Sequence, residues 1–566
     1  MFDVLLEMFN SSTAPSDASR LTMRAVARDE ALTEVIRQNP SLGSSPAGLT
    51  SGLNGVKIEG IADPIINLSN PYPKFGQYRQ DVSASNELNN DRDMIRNLES
   101  GRTDILKPAM AWLAGFSKRD EIKSRMEPGD DSKLTKVGTA LLKAGFRGNS
   151  SDVQQVFSDE CKPILQRLIP EAFESARTVL KKTVAKHFFH GIRDEANIED
   201  HIALSTMSSN QLIANMIDRL IKRDTKVILP IPYFDPFPLF LDRVGANVIT
   251  TDTTKTGYKL QAEDLRKLIE KNDIKKGDWL FLTSPDNATM NPYTKDELQA
   301  IANVVAEKGL NVICDELYAR LSKEPHVSLA SLEAYGPEGL VQMRDRVITT
   351  SGCSKQFPFG SDVSRKLGVA LFPNSDDAKL IEERIKVGDT EVGDQIADVY
   401  RGLIETTPGR IRTESYKNTI HDGEQVIQMI DELNEKYGSS GEKPFELISS
   451  GGYLACLKMN ERWDKESGIH TGEDLAGYLL AATGLFTKSM VAEGVTDPVV
   501  RFNVNQCAEH IEEVQLRLDS MLEAIAEKKA PTMDKVRRSV DKLVEHAPQM
   551  TSQVTTDQVR HATQRM

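Results

Sequence analysis

From about residue 200 the chain takes up a rhythm that leaves few folds open to it. Short apolar runs (His201-Ile-Ala-Leu-Ser205, Lys226-Val-Ile-Leu-Pro230, Ala246-Asn-Val-Ile-Thr250, Trp279-Leu-Phe-Leu-Thr283, Val312-Ile313, Arg346-Val-Ile-Thr-Thr350 and Leu367-Gly-Val-Ala-Leu-Phe372) are separated by stretches of helical periodicity such as Gln211 to Lys222. Strands of this length, apolar on both faces and alternating with helices, predict βαβ units and a mostly parallel sheet with helices on both sides. The class is therefore α/β. A long helical stretch, Asp376 to Tyr437, precedes two more strand-like texts, Ser449 to Leu457 and Val499 to Val504, and a helix at Ala508 to Lys528. These predict a smaller α+β unit.

The remaining text divides the 566 residues further. Residues 1–60 read as an arm or linker, with helical periodicity over Ser19 to Gln38 and Ser/Gly/Pro-rich text after it. Residues 61–200 read as an N-terminal segment carrying an extra helical region, with an inserted block around 80–160. A large domain is expected over 201–390, a small one over 391–530, and a loosely attached tail over 531–566, whose Arg537-Arg538 pair reads as a solvated face.

Composition excludes several function classes. A formal charge of −13 argues against nucleic acid or an anionic membrane surface as partner. No apolar run reaches the ~18 residues of a spanning helix. The first residues, Met1-Phe-Asp-Val-Leu-Leu-Glu7, carry acids where a secretory signal has bases. Five scattered cysteines without a Cys-x-x-Cys pair predict neither a disulfide framework nor a metal site, and a reducing, cytoplasmic compartment.

Chemistry-bearing residues fall at the ends of the apolar runs. Ser208-Ser209-Asn210 opens the first helix of the alternating region. Pro230-Ile-Pro-Tyr233-Phe234-Asp-Pro-Phe237 is an aromatic loop, and Thr283-Ser-Pro-Asp-Asn287-Ala-Thr289 follows the next buried run. Asn311-Val-Ile-Cys-Asp315-Glu-Leu-Tyr318 and Ser351-Gly-Cys-Ser354-Lys355 follow in turn, with Arg365-Lys366 just before Gly368. Arg501 lies in a late strand. In this order the motifs resemble the pyridoxal-phosphate enzymes of fold type I, the class I/II aminotransferases of the aspartate aminotransferase superfamily. The aromatic loop is similar to that of 1-aminocyclopropane-1-carboxylate synthases. The resemblance covers about residues 160–525.

That resemblance implies a cofactor, pyridoxal 5′-phosphate, and a role for each motif. Lys355 would carry it as a Schiff base and then act as base on the substrate's Cα proton. Asp315 would face the ring nitrogen, and Tyr318 and Asn287 the ring's 3′ oxygen. Phe234 takes the stacking position, with Tyr233 the alternative if the register slips by one. Ser208, Ser209 and Asn210 belong to the phosphate end of the shell, and Ser354 is a further cofactor-binding residue. Either Arg365 or Lys366 supplies its cation. Arg501 matches the arginine that holds a substrate α-carboxylate. A partner-completed site, and so a homodimer or higher homo-oligomer, is implied by the same likeness.

The implied activity is chemistry on an amino acid through a Cα carbanion, with transamination the leading reading. The sequence departs from the family at Ser284, at Ala288, at Met290 in the usual glycine place, and in a longer loop after Lys355. These departures and the helical insertion keep open a lyase or cyclase acting on S-adenosylmethionine or an aspartate-like substrate, by γ-elimination, γ-substitution or β-decarboxylation. A non-catalytic protein on the same fold is the third reading, and the presence of Lys355 counts against it.

Overall fold

The computed structural model describes residues 17–22, 66–69 and 83–545, apart from short stretches at 117, 190, 193–196, 288, 320, 322–325, 359–365, 389–390, 439–441, 449–451, 461–462 and 464–466. Its centre is a seven-stranded sheet: β1 (Ile202–Ser205), β2 (Lys226–Ile231), β3 (Asn247–Asp252), β4 (Trp279–Thr283), β5 (Asn311–Asp315), β6 (Val347–Gly352) and β7 (Gly368–Leu371). They lie in the order β1-β7-β6-β5-β4-β2-β3. Only β7 runs antiparallel, to both β1 and β6. This is the α/β fold expected from the strand–helix rhythm.

Period-two alternation explains why the inner strands are buried on both faces, whereas the edge strand β3 is more polar and more exposed. Leu280, Leu282, Val312, Cys314, Val347 and Val369 pack into one core. Their neighbours Trp279, Phe281, Ile313, Ile348 and Ala370 pack into another on the opposite face. Burial of both faces is the condition under which parallel sheets are stable. Local signals fix the connections. The helix Lys295–Lys308 starts with a Thr294/Glu297 capping box and stops at Gly309, whose φ of 67° is the left-handed conformation glycine adopts without cost.

A second unit contains an antiparallel sheet of β8 (Phe445–Leu447), β9 (Leu454–Met459), β10 (Lys488–Ser489) and β11 (Val499–Asn503), in the order β8-β9-β11-β10. Ile66–Asn67 pairs in parallel with Leu485–Phe486, so the early segment is stitched to this unit. The helix Met533–Glu545 is packed more firmly than the sequence suggested. Met533, Val536 and Val540 are buried in the second unit's core, and Arg537 bonds Asp474 at 2.9 Å. Three apolar residues spaced one helical turn apart outweigh the basic composition that made this stretch read as a tail. Residues 546–566, like most of 1–60, lie outside the described residues.

The insertion is a helical subdomain with an apolar core of its own, built on Ser83–Glu99, Leu106–Phe116, Asp130–Phe146 and Lys162–Leu168. It is anchored to the helix Asp394–Thr406 by a buried ion pair, Arg92 with Asp398. Among the described residues no helix is long and apolar enough to cross a membrane.

Candidate active site

Strands β1, β2, β4, β5 and β6 all point the same way, so the loops at their carboxyl ends converge on one edge of the sheet, where open α/β sheets place their ligand sites. Asp315 closes β5 and is buried. Its Oδ1 accepts hydrogen bonds from the Leu317 N–H and the Thr350 hydroxyl, both at 3.2 Å. Burial pushes its carboxyl up to about 7. From β6 the chain turns through Gly352 into the short helix Cys353–Gln356. Lys355 on that helix is 8% exposed. Burial first, then the nearby charges of Arg501 and Lys366, hold its pKa well below the ordinary lysine value. Gln356 fastens this turn to the Asp315 segment, donating to the Leu317 carbonyl at 3.1 Å and the Ser351 hydroxyl at 2.8 Å.

Tyr318 donates its hydroxyl proton to Asn287 Oδ1 at 2.8 Å, and its ring lies 6.1 Å from that of Tyr453. Arg501 on β11 reaches the same loop, donating from its guanidinium to the Asn287 carbonyl at 3.2 Å. The departure at Met290 has a visible cost and a visible return. Its φ is 55°, a left-handed backbone costing about 1–2 kcal/mol outside glycine. In exchange its fully buried side chain packs with Tyr318, Leu321, Tyr453 and Leu454.

Ser208, Ser209 and Asn210 open the helix Ser208–Leu220, and the Asn210 Oδ1 is buried with no hydrogen-bond partner among the described residues. Ser354 Oγ is in the same condition. Ser208 also has a left-handed backbone, φ 81°. Gly368 on β7 lets the strand approach this turn closely. A Cβ there would lie 2.3 Å from the Ser208 carbonyl carbon and 2.5 Å from the Ser209 nitrogen. Gly368→Ala is therefore expected to cost about 1–3 kcal/mol of stability, as overpacking does, because backbone must move. Denaturant titration would measure that loss, and the same displacement is expected to weaken retention of any anion held at the serine turn.

Lys366 is half-buried beside Lys355, whereas Arg365 lies outside the described residues. Phe234 is half-buried, edge-on to Phe237 at 5.3 Å. Tyr233 is buried, and its N–H donates to the Glu493 carbonyl at 3.1 Å. The loop thus commits Tyr233 to the contact between units and leaves Phe234 the more open of the two.

Sequence reasoning missed an ionic chain behind Arg501. Glu493, 2% exposed, lies 3.6 Å from the Arg501 guanidinium and 2.8 Å from Lys488 Nζ, and Lys488 also pairs with Asp235 at 3.0 Å. Lys488 and Arg501 are cross-strand partners on β10 and β11. Only that register brings them together, so single-sequence patterns carry no signal for it beyond an acid in the Val-Ala-Glu-Gly turn. Asp286 was also missed. It accepts from the Thr289 N–H and hydroxyl at 2.9 Å, and burial pushes its carboxyl up to about 7.

Residues 174–362 match the family model Aminotransferase class I and II. Over this stretch, about a third of the 566 residues, the chain is similar to the class I and II aminotransferases. The matched segment contains Ser208 to Asn210, Phe234, Asn287, Asp315, Tyr318 and Lys355, and Lys366 and Arg501 lie beyond it. A probable aspartate/prephenate aminotransferase of Rickettsia felis is 26% identical over 235 residues, 40% of this chain and 53% of its own length. A probable N-acetyl-LL-diaminopimelate aminotransferase of Bacillus subtilis is 28% identical over 158 residues, 28% of this chain and 36% of its own length. The chain thus spans about half the length, or less, of these curated relatives. Among solved structures, an aromatic aminotransferase from Pyrococcus horikoshii OT3 aligns with a TM-score of 0.52 and 20% identity over 62% of this chain and 86% of its own. An aspartate aminotransferase from Thermus thermophilus aligns with a TM-score of 0.50 and 18% identity, over 61% and 81%. Likeness at this level establishes the fold, and the aminotransferase fold accounts for the strand order described above.

Proposed function

We propose that the protein is a pyridoxal-phosphate-dependent aminotransferase acting on an amino acid. The observation that carries this reading is a buried lysine with a depressed pKa, near a buried arginine and on the turn after the strand that neighbours the one closed by buried Asp315, at the carboxyl edge of an aminotransferase-type sheet. The donor set suits the cofactor. Asn210 Oδ1 and Ser354 Oγ are buried polar atoms with capacity left over, Gly368 lets β7 pack directly against the serine turn, and Asp315 is a carboxyl group kept out of water.

When bound, the cofactor supplies an electron sink for charge developing at the substrate's Cα. The chain's own residues would do the rest. Asp315 would hold a proton on the ring nitrogen, while Tyr318 and Asn287, already bonded to each other, would hold the ring's 3′ oxygen. Ser208, Ser209, Asn210 and Ser354 would take the phosphate, with Lys366 or Arg365 as its cation, and Phe234 would cover the ring. Arg501 would fix the α-carboxylate with two parallel N–H donors. Burial lowers the pKa of Lys355, which favours the neutral amine, the form that would accept the Cα proton and return it elsewhere.

Incubating the purified protein, loaded with pyridoxal phosphate, with L-aspartate or an aromatic amino acid and 2-oxoglutarate tests this. Glutamate formation matched by the corresponding oxo acid is the expected result. Product formed without any oxo acid acceptor, with release of carbon dioxide from aspartate or of a γ-substituent from S-adenosylmethionine, would replace transamination with the lyase reading. A homodimer or higher homo-oligomer in the cytoplasm belongs to the same proposal, and light scattering on the purified protein measures its assembly state.

A further inference from the structure

Arg501 is 8% exposed, and a buried guanidinium without a counter-charge is costly. Among the described residues its carboxylate neighbour within ion-pair distance is Glu493, and the contact is a loose one. The separation is 3.6 Å, longer than a hydrogen bond, whereas the same carboxylate oxygen sits 2.8 Å from Lys488. The other oxygen, Oε2, is buried with no hydrogen-bond partner. Arg501 spends one donor on the Asn287 carbonyl. Glu493 therefore balances the charge of Arg501 without occupying the forked donors that a second carboxylate would use.

The turn that carries Glu493 is fixed by its backbone. Tyr233 donates to the Glu493 carbonyl, Glu493 N–H donates to the Met490 carbonyl at 3.2 Å, and the Thr22 hydroxyl donates to the Ala492 carbonyl at 2.8 Å. On its far side Lys488 is drawn off by Asp235. The chain Asp235, Lys488, Glu493, Arg501 alternates in sign and sums to zero.

We propose that Glu493 is a positioning residue that sets how tightly Arg501 holds a ligand carboxylate, acting as a resident counter-charge which Lys488 keeps at a distance. The inference rests on the reading of Arg501 as the substrate's carboxylate site. An incoming carboxylate completes the guanidinium fork but meets the Glu493 charge a few ångströms away. Removing that charge converts a neutral cluster into one with a spare positive charge, so carboxylate binding tightens. Removing Lys488 frees Glu493 to close fully on Arg501, so binding weakens. A group that merely filled space would weaken binding in both cases.

The test is calorimetric titration of succinate into the pyridoxal-phosphate-loaded protein, which needs no turnover. Glu493→Gln is expected to lower the succinate Kd by about ten-fold, as removal of a nearby like charge at intermediate dielectric does. Glu493→Asp, which keeps the charge, should return toward the wild-type value, and Lys488→Met should raise Kd. An unchanged or raised Kd in a normally melting Glu493→Gln protein overturns the proposal. Should that variant not fold, Lys488→Met decides, since an unchanged or lowered Kd there overturns it equally. Arg501→Leu separates this from failure of the underlying reading. It should weaken succinate roughly a hundred-fold, as loss of a buried charge partner does, and undiminished binding would show that Arg501 is not the carboxylate site at all.

Discussion

Lys355→Ala is expected to leave a folded, colourless protein with at least ~10³-fold less activity, the loss that accompanies removal of both a covalent anchor and a general base. The folding half of this expectation follows from the surroundings of the amine. Lys355 is buried, and the neighbouring charges of Arg501 and Lys366 oppose its protonation. Alanine relieves that conflict and leaves a cavity, and the two effects offset each other. The turn itself is held by Gln356 through the Leu317 carbonyl and the Ser351 hydroxyl, neither of which the substitution touches. The measurement is the visible spectrum with pyridoxal phosphate before and after borohydride. Wild type should show yellow absorbance that reduction converts to a stable adduct on a peptide containing Lys355, and the variant should show neither. Partial rescue of activity by added methylamine would assign the missing role to an amine. Yellow, borohydride-trappable protein after Lys355→Ala would place the anchor elsewhere.

How much of this was legible beforehand depended on the distance over which each feature is encoded. The sheet was legible because a strand buried on both faces writes itself as an unbroken apolar run, as Trp279 to Thr283 does. The residues closing those runs were legible too. Asp315 ends β5, and Asn287 and Tyr318 sit a few residues past strand ends, so their position along the chain already puts them on one edge. Ser208 to Asn210 could be placed by the same logic, although nothing in a Ser-Ser-Asn helix start announces an unpartnered Asn210 Oδ1. The Asp235, Lys488, Glu493, Arg501 chain was not legible, because it depends on the register between β10 and β11 and on contact between the two units. Met533–Glu545 was misread for the opposite reason. Its three buried residues are diluted by charges, and only a partner surface on Gly472–Thr483 and its neighbours makes the stripe matter. Arg501 sits between these cases. Its strand was legible and its place in the motif order suggested its role, but its counter-charge was hidden.

Asp315→Asn should separate stability from catalysis by moving them in opposite directions. In the folded, cofactor-free protein burial raises the Asp315 carboxyl to about 7, whereas in an unfolded chain it titrates near ~4. Between those values the folded state keeps a proton that the unfolded state has lost. Stability therefore falls as pH rises from about 4 to about 7, and beyond that the deficit is constant. Asparagine has the same shape and can still accept from the Leu317 N–H and the Thr350 hydroxyl, but it does not titrate. At pH 8 the cofactor-free variant should thus be more stable than wild type by a few kcal/mol, and at pH 4 the two should coincide. Comparing the two proteins at each pH cancels the contributions of Asp286 and Lys355. With pyridoxal phosphate bound, a protonated ring nitrogen would pair with the Asp315 carboxylate and remove its incentive to stay protonated, so the slope assigned to this residue should vanish in the loaded wild type. The amide offers that nitrogen no negative charge, and activity should fall by ~10³-fold, the scale of losing a preorganised charge interaction in a water-excluded site. Denaturant titrations from pH 4 to 8, with and without cofactor, read all of these effects. Parallel pH profiles for the cofactor-free wild type and variant would show that Asp315 is already ionised before the cofactor arrives. Its burial would then be compensated by groups other than Thr350 and Leu317.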